Sequence, residues 1–110
     1  MAGYVPVATR AEWYGWQTGT GGSATLSYKI RHGWWYHIDL LECGTSAQQL
    51  DWIFQVSEKT WATPEVVAGL INGLRDLLGR RVAACGHDHP FTEPEIRKRL
   101  KAYRERVLTV

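Results

Sequence analysis

Cysteine is scarce in this sequence, long apolar runs are absent, and neither sign of charge dominates. Two cysteines among 110 residues, Cys43 and Cys85, do not make a disulfide scaffold and agree with a reducing compartment. No apolar run approaches the roughly 20 residues that a membrane-spanning helix needs. The start, MAGYVPVATR, lacks the apolar middle of a secretory signal. We therefore expect a cytoplasmic protein with no membrane partner.

The composition is that of a single folded domain. Apolar residues make up 45% of the chain and charged residues 22%, which is typical of globular proteins and not of disordered ones. A chain of 110 residues is long enough to bury a core, so we predict one domain spanning residues 1–110. The net charge is +2, and the basic excess lies in the second half. Six tryptophans stand out, because this residue type is enriched at binding surfaces.

Residues 24–40 predict a β-hairpin. Apolar and polar residues alternate on both sides of a central turn, with an apolar face made of Leu26, Tyr28, Ile30, Trp34, Tyr36, Ile38 and Leu40. A two-residue turn at His32-Gly33 would set this face beside the polar face of the other strand. We therefore predict a three-residue turn, Arg31 to Gly33, with Gly33 in a left-handed conformation. The predicted pairs are Ile30 with Trp34, Tyr28 with Tyr36 and Leu26 with Ile38, which sends Trp34 and Tyr36 into the core.

The opposite face of this hairpin is the first candidate binding surface. Trp35 lies there beside Lys29, with Ser27 and His37 next along the strands. A cation–π contact between Lys29 and Trp35 can simply cover the sheet, or the indole can stack on a partner. We select Lys29, Trp35 and His37 as candidate binding residues.

Two of the three predicted helices begin with capping boxes. The first opens with Ser46 and Gln49, and the last with Thr92 and Glu95. The predicted core-facing stripes are Leu50, Ile53, Phe54 and Ser57 in the first helix, and Ile96, Leu100, Tyr103 and Val107 in the last.

The helix between them has a wide apolar face. Thr63 caps it, Pro64 occupies its first position and Gly79 ends it. Gly69 and Gly73 inside the helix each cost about 1 kcal/mol relative to alanine, so we expect another element to approach closely there. The predicted face consists of Val66, Val67, Leu70, Ile71, Leu74, Leu77 and Leu78.

The order of elements predicts an α+β fold. The aromatic segment Glu12–Thr18 predicts a further strand, and residues 80–90 have room for a short strand and a loop. An antiparallel sheet of two to four strands, packed against three C-terminal helices in the order ββ(β)ααα, is the economical arrangement.

The segment ACGHDHP gathers residue types that ligate metals. Cys85, His87, Asp88 and His89 fall within five residues, and Cys43 offers a further sulfur. Zinc sites pair Cys or His at wider spacing than Cys-x-His-x-His, and no second cluster is present. We therefore predict no metal and no cofactor; a metal-dependent enzyme using Cys85, His87 and His89 is the remaining alternative.

Two other sets of residues resemble catalytic groups but lack necessary parts. Cys85 with His87 as a base has no implied third residue to orient the histidine. Ser27, His37 and Asp39 would lie on a flat sheet face without a cleft or oxyanion donors. We therefore predict a protein without catalytic residues.

The last predicted helix is the second candidate binding surface. Its basic residues are Arg97, Lys98, Arg99, Lys101, Arg104 and Arg106. With Arg97, Lys101 and Arg104 on one side, the helix can lie along a phosphate backbone or an acidic protein. The same pattern also suits a solvated helix whose basic end complements its own dipole. We select Arg97, Lys98, Lys101 and Arg104 as candidate binding residues.

Residues 34–61, WWYHIDLLECGTSAQQLDWIFQVSEKTW, carry a resemblance. They are similar to small uncharacterised proteins of bacteriophages and other mobile elements, in which a WYHIDL strand leads into a helix containing LDWI. The similar segment covers about a quarter of the chain. The resemblance transfers no catalytic residue. It implies a setting in which small proteins bind and block a host or defence component, as anti-CRISPR proteins do.

Together these observations predict a small non-catalytic binding protein. The first hypothesis is an inhibitor or accessory factor that docks on a protein partner. The alternative is a nucleic-acid-binding protein that uses the basic last helix. The sequence does not determine the oligomeric state.

Overall fold

The fold is a small antiparallel sheet followed by three helices, as predicted. The computed structural model describes residues 11–19, 24–79 and 90–108, so the loop with Cys85, His87 and His89 lies outside the described residues. The sheet has the order β1-β2-β3, with β1 Gln17–Thr18, β2 Thr25–Arg31 and β3 Trp34–Asp39. The helices are α1 Ser46–Ser57, α2 Pro64–Leu77 and α3 Glu93–Leu108. None of these helices combines the length and apolarity needed to cross a bilayer.

The β2–β3 hairpin has the predicted register but a different turn. Leu26 pairs with Ile38 and Tyr28 with Tyr36, as expected from the alternation. The predicted pairing of Ile30 with Trp34 is wrong, because Arg31 pairs with Trp34 and the register shifts between Lys29 and Arg31. His32 and Gly33 alone form the turn, and Gly33 has the predicted positive φ of 80°. A bulge at Ile30 therefore absorbs the offset that a two-residue turn would otherwise impose on the strands.

The prediction that Trp34 enters the core is also wrong. Its side chain is 62% exposed, whereas Tyr36 is half-buried, with its ring 5.3 Å from the ring of Trp61. Trp61 in turn stacks on Tyr28 at 5.2 Å. This aromatic cover extends along the strand as far as Tyr36, and Trp34 lies beyond it at the end of the hairpin.

The predicted strand Glu12–Thr18 is mostly a compact turn. Residues Ala11–Trp13 form a 3-10 helix, and only Gln17–Thr18 pair with β2. Tyr14 and Gly15 have positive φ values of 49° and 97°, which interrupt an extended chain. The turn reverses the chain so that Trp13 and Trp16 are both fully buried, where a strand would place them on opposite faces.

Helix α2 is the centre of the core and agrees with its predicted ends. The Thr63 hydroxyl accepts a hydrogen bond from the Val66 amide, Pro64 is the first helical residue, and Gly79 follows the helix with a φ of 68°. Most of the predicted face is buried, but Ile71 is 41% exposed. The buried members are Val66, Leu70, Leu74, Leu77 and Leu78.

Helix α1 begins one residue earlier than predicted, and its buried face also differs from the prediction. The capping box consists of Thr45 and Gln48, so the predicted Ser46–Gln49 box is wrong. The side-chain amide of Gln49 instead donates to the main-chain carbonyl oxygens of Cys43 and Gly79.

The predicted apolar stripe of α1 is not the face that the structure buries. Leu50 and Phe54 are 49% and 59% exposed, and Ser57 is also exposed. Val56 is fully buried and Ile53 is half-buried. Gln49, Ile53 and Val56 recur at helical spacing and form the inner side of α1, whereas Leu50 faces solvent.

Helix α3 follows its prediction closely. Thr92 and Glu95 form the predicted capping box, in which the Glu95 amide donates to the Thr92 hydroxyl and the Thr92 amide to the Glu95 carboxylate. Ile96, Leu100 and Tyr103 are buried as predicted, and the side chain of Val107 lies outside the described part.

Candidate binding surface

The outer face of the hairpin contains the predicted pairing of a cation with an indole. Lys29 and Trp35 are directly opposite each other on β2 and β3, and the Lys29 Nζ lies 5.8 Å from the centroid of the Trp35 ring. Lys29 is exposed and Trp35 is half-buried. The pair is in the geometry of a cation–π contact, which stabilises this arrangement by about 0.5–1 kcal/mol at an exposed site.

A second pair of the same kind, which was not predicted, occupies the next paired positions toward the turn. The Arg31 Cζ is 5.6 Å from the centroid of the Trp34 ring, and both residues are exposed. The bulge in β2 brings these two side chains opposite each other. We call the four residues Lys29, Arg31, Trp34 and Trp35 the hairpin end.

One sequence signal was available for this second pair. His32-Gly33 has the glycine expected of a two-residue hairpin turn, and such a turn makes Arg31 and Trp34 direct neighbours. The bulge that reconciles this turn with the apolar alternation carries no distinctive residue of its own.

His37 interacts with the sheet and not with the hairpin end. Its Nδ1 is hydrogen-bonded to the hydroxyl of Ser27 at 2.6 Å, and Ser27 is fully buried. The Asp39 carboxylate accepts a hydrogen bond from the Leu41 amide and caps the 3-10 turn Leu40–Glu42. Ser27, His37 and Asp39 therefore do not form a nucleophilic site, because the hydroxyl is inaccessible and the carboxylate is directed elsewhere.

The basic residues of α3 form a separate surface. α3 packs against α2 and the Leu40–Glu42 turn, away from the hairpin residues selected by sequence. Arg97 forms an ion pair with Glu93 at 3.0 Å, and Lys98 and Lys101 are exposed. Arg104 is half-buried and makes contacts within the chain. The structure thus does not bring the two predicted surfaces together.

Two further arginines of α3 lie over aromatic rings of the same chain. Arg99 is 5.0 Å from the ring of Phe91, and Arg106 is 5.3 Å from the ring of Tyr103. An open cavity of about 330 Å³ beside Phe91 is lined by Lys98 and Arg99, together with Glu95 and Ala102. Several cations of this helix are therefore engaged by groups of their own chain.

Cys43 is fully buried, and its surroundings disfavour a thiolate. Burial is the main cause that raises the pKa of the thiol to about 12, and the carboxylates of Asp39 and Glu42 raise it further. The Sγ is 3.6 Å from the carbonyl oxygen of Asp39, to which the thiol donates.

Within residues 11–19, 24–79 and 90–108, no group of three or more Cys, His, Asp or Glu side chains is placed to hold a metal.

No protein-family model, curated protein or solved structure matches this chain. A function for this chain is therefore inferred from its fold and from the geometry of its surfaces.

Proposed function

We propose that this protein acts by binding, and that it docks on a protein partner through the hairpin end. The observation that supports this most strongly is Trp34, an indole that is 62% exposed at the end of a hairpin and paired with Arg31. Tryptophan and arginine are the residue types that most often dominate the energy of protein interfaces.

The geometry of the hairpin end reduces the cost of binding. Side chains that are free in solution lose rotamer entropy when an interface forms, about 0.5–1.5 kcal/mol for each flexible one. Here Lys29 lies over Trp35 and Arg31 over Trp34, and each contact favours this arrangement in the free protein by about 0.5–1 kcal/mol. An interface made by them retains more of its contact energy.

The alternative, nucleic-acid binding through α3, has less support. Arg97 is paired with Glu93, and Arg99 and Arg106 lie over rings of their own chain. Phosphate contacts would have to compete with these interactions. Lys98 and Lys101 are the exposed cations on which this alternative depends.

The resemblance of residues 34–61 to phage and mobile-element proteins supports a second proposal, which concerns the biological setting. Trp34, Trp35 and α1 all fall within that segment. In that setting the partner is a host or defence protein, and docking blocks it. The first proposal, docking through the hairpin end, does not depend on this second one.

The experiment compares capture by three immobilised proteins: wild type, Trp34→Ala and Phe54→Ala. Phe54 is a matched control because it is an aromatic residue of similar exposure, 59%, on α1. We expect Trp34→Ala to capture at least about tenfold less of a partner protein than wild type does, because its indole would dominate the interface. We expect Phe54→Ala to capture as much as wild type. Equal capture by wild type and Trp34→Ala, with both variants folded, contradicts the proposal.

A further inference from the structure

The hairpin end carries a one-sided charge that specifies the chemistry of its partner. From Tyr28 to His37 the chain contains two permanent cations, Lys29 and Arg31, and no carboxylate. Lys59 also approaches the hairpin, with its Nζ 5.7 Å from the centroid of the Tyr36 ring, but the exposed carboxylate of its neighbour Glu58 offsets its charge. A partner surface that fits this region is therefore anionic.

Arg31 makes the charge specific as well as positive. A guanidinium that lies over an indole keeps its N–H groups available to a third group, and its fork matches the two oxygens of a carboxylate or phosphate. A lysine in its place would present a point charge with no such fork.

The shape of the hairpin end favours a protein carboxylate over a nucleic acid. Trp34 and Trp35 are successive strand residues, so their indoles leave the hairpin on opposite faces. Proteins that stack successive bases use a positively charged groove lined with aromatic rings. An exposed hairpin turn with an indole on each side is instead suited to enter a concave site.

We infer that the hairpin end enters a concave, carboxylate-lined site on the partner protein, with Arg31 binding a carboxylate beside the indole of Trp34. This inference rests on the proposed docking function and adds the chemistry of the partner.

The first arm of the test reverses single charges. Arg31→Glu and Arg75→Glu make the same change in net charge, the latter on the exposed side of α2 and outside both candidate surfaces. We expect Arg31→Glu to capture at least tenfold less of the partner than wild type does, Arg31→Lys to show a smaller loss, and Arg75→Glu to capture as wild type does. Capture that is lost in Trp34→Ala but unchanged in Arg31→Glu overturns this inference and leaves docking standing. Capture that is independent of Trp34 overturns both.

The second arm identifies the partner group. A carbodiimide joins amines to carboxylates, so we expect a crosslink between Lys29 and an Asp or Glu of the captured protein, mapped by mass spectrometry. Lys29→Arg keeps the charge but has no amine, so we expect the peptide crosslinked at position 29 to be missing from the complex that this variant still forms. A wild-type complex in which the partner is crosslinked only through lysines outside the hairpin end, or not at all, contradicts a carboxylate at this position.

The third arm uses a defined nucleic acid. A fluorescent 15-nucleotide oligothymidylate is titrated into wild type and Trp34→Ala at low salt. We expect no binding that depends on Trp34. Binding that weakens tenfold in Trp34→Ala and falls steeply with salt overturns the inference in favour of single-stranded nucleic acid.

Discussion

The main chain of Trp13 lies directly against Gly69 of α2. A β-carbon at Gly69 would overlap the carbonyl oxygen of Trp13, so only glycine fits at this point of the helix. The contact seats the 3-10 turn on α2, with the indole of Trp13 donating to the Asp76 carboxylate at 2.9 Å. The close approach expected from the two helical glycines is thus confirmed.

Gly69→Ala should destabilise the fold strongly, because backbone must move to admit the methyl group. We expect a loss of about 3 kcal/mol or more in the free energy of unfolding, measured by urea denaturation. Gly73→Ala is the matched control, since its new methyl would meet side-chain atoms of Leu26 and Trp13 at 3.4 and 3.5 Å. We expect it to change stability by no more than about 1 kcal/mol. Equal effects of the two substitutions would contradict this packing.

Trp16 and Trp34 should differ in their effect on stability, because Trp16 lies in the core and Trp34 at the exposed end of the hairpin. Trp16 is fully buried, and its Nε1 donates to the carbonyl oxygen of Val66 at 2.8 Å. We expect Trp16→Ala to cost about 3–5 kcal/mol of unfolding free energy and Trp34→Ala no more than about 1 kcal/mol. A large loss of stability in Trp34→Ala would place its indole in the interior and remove it from the binding surface.

Cys43 should be unreactive in the folded protein. Its pKa of about 12 leaves about a thousandfold less thiolate at pH 8 than the ordinary value of 9.0 does. In a Cys85→Ser background, we expect a thiol reagent to modify Cys43 at least about a thousandfold more slowly in buffer than in denaturant. Rapid modification of the folded protein would contradict the burial of this thiol.

The same shift predicts how stability depends on pH. The folded state keeps the Cys43 proton up to about pH 12, whereas the unfolded chain loses it above about pH 9. The contribution of Cys43 to stability is therefore fully present below pH 9 and falls by about 1.4 kcal/mol per pH unit between these values. In the Cys85→Ser background, subtracting the same pH series for Cys43→Ala isolates this contribution. A flat difference across that range would contradict the raised pKa.

The strand register could be predicted because burial of one face constrains it. Leu26 with Ile38 and Tyr28 with Tyr36 followed from apolar alternation alone. Alternation identifies the face on which a side chain lies, but not how far along that face the covering residues extend. Trp34 was misplaced for that reason, since the cover includes Trp61, which is 25 residues from Tyr36 and 33 residues from Tyr28 along the chain.

The buried face of α1 contacts a distant segment, which a local pattern does not contain. The side-chain amide of Gln49 donates to the carbonyl oxygen of Gly79, 30 residues away, from the side of α1 on which Val56 is buried, whereas Leu50 is exposed. Half of the hairpin end, Lys29 and Trp35, followed from alternation. The other half, Arg31 and Trp34, depends on a bulge whose only local signal is the glycine of the turn.

Docking through the hairpin end is tested most directly by a photocrosslinker placed at that end. Benzoylphenylalanine is introduced at His32, the exposed turn residue beside Arg31, so that Trp34 is retained, or, as a control, at Phe54, which is exposed on α1. After irradiation in a cell extract, we expect a discrete crosslinked product from position 32 that Arg31→Glu reduces at least tenfold, and none from position 54. A partner that crosslinks at position 54 and not at position 32 would show that α1, and not the hairpin, is the docking surface.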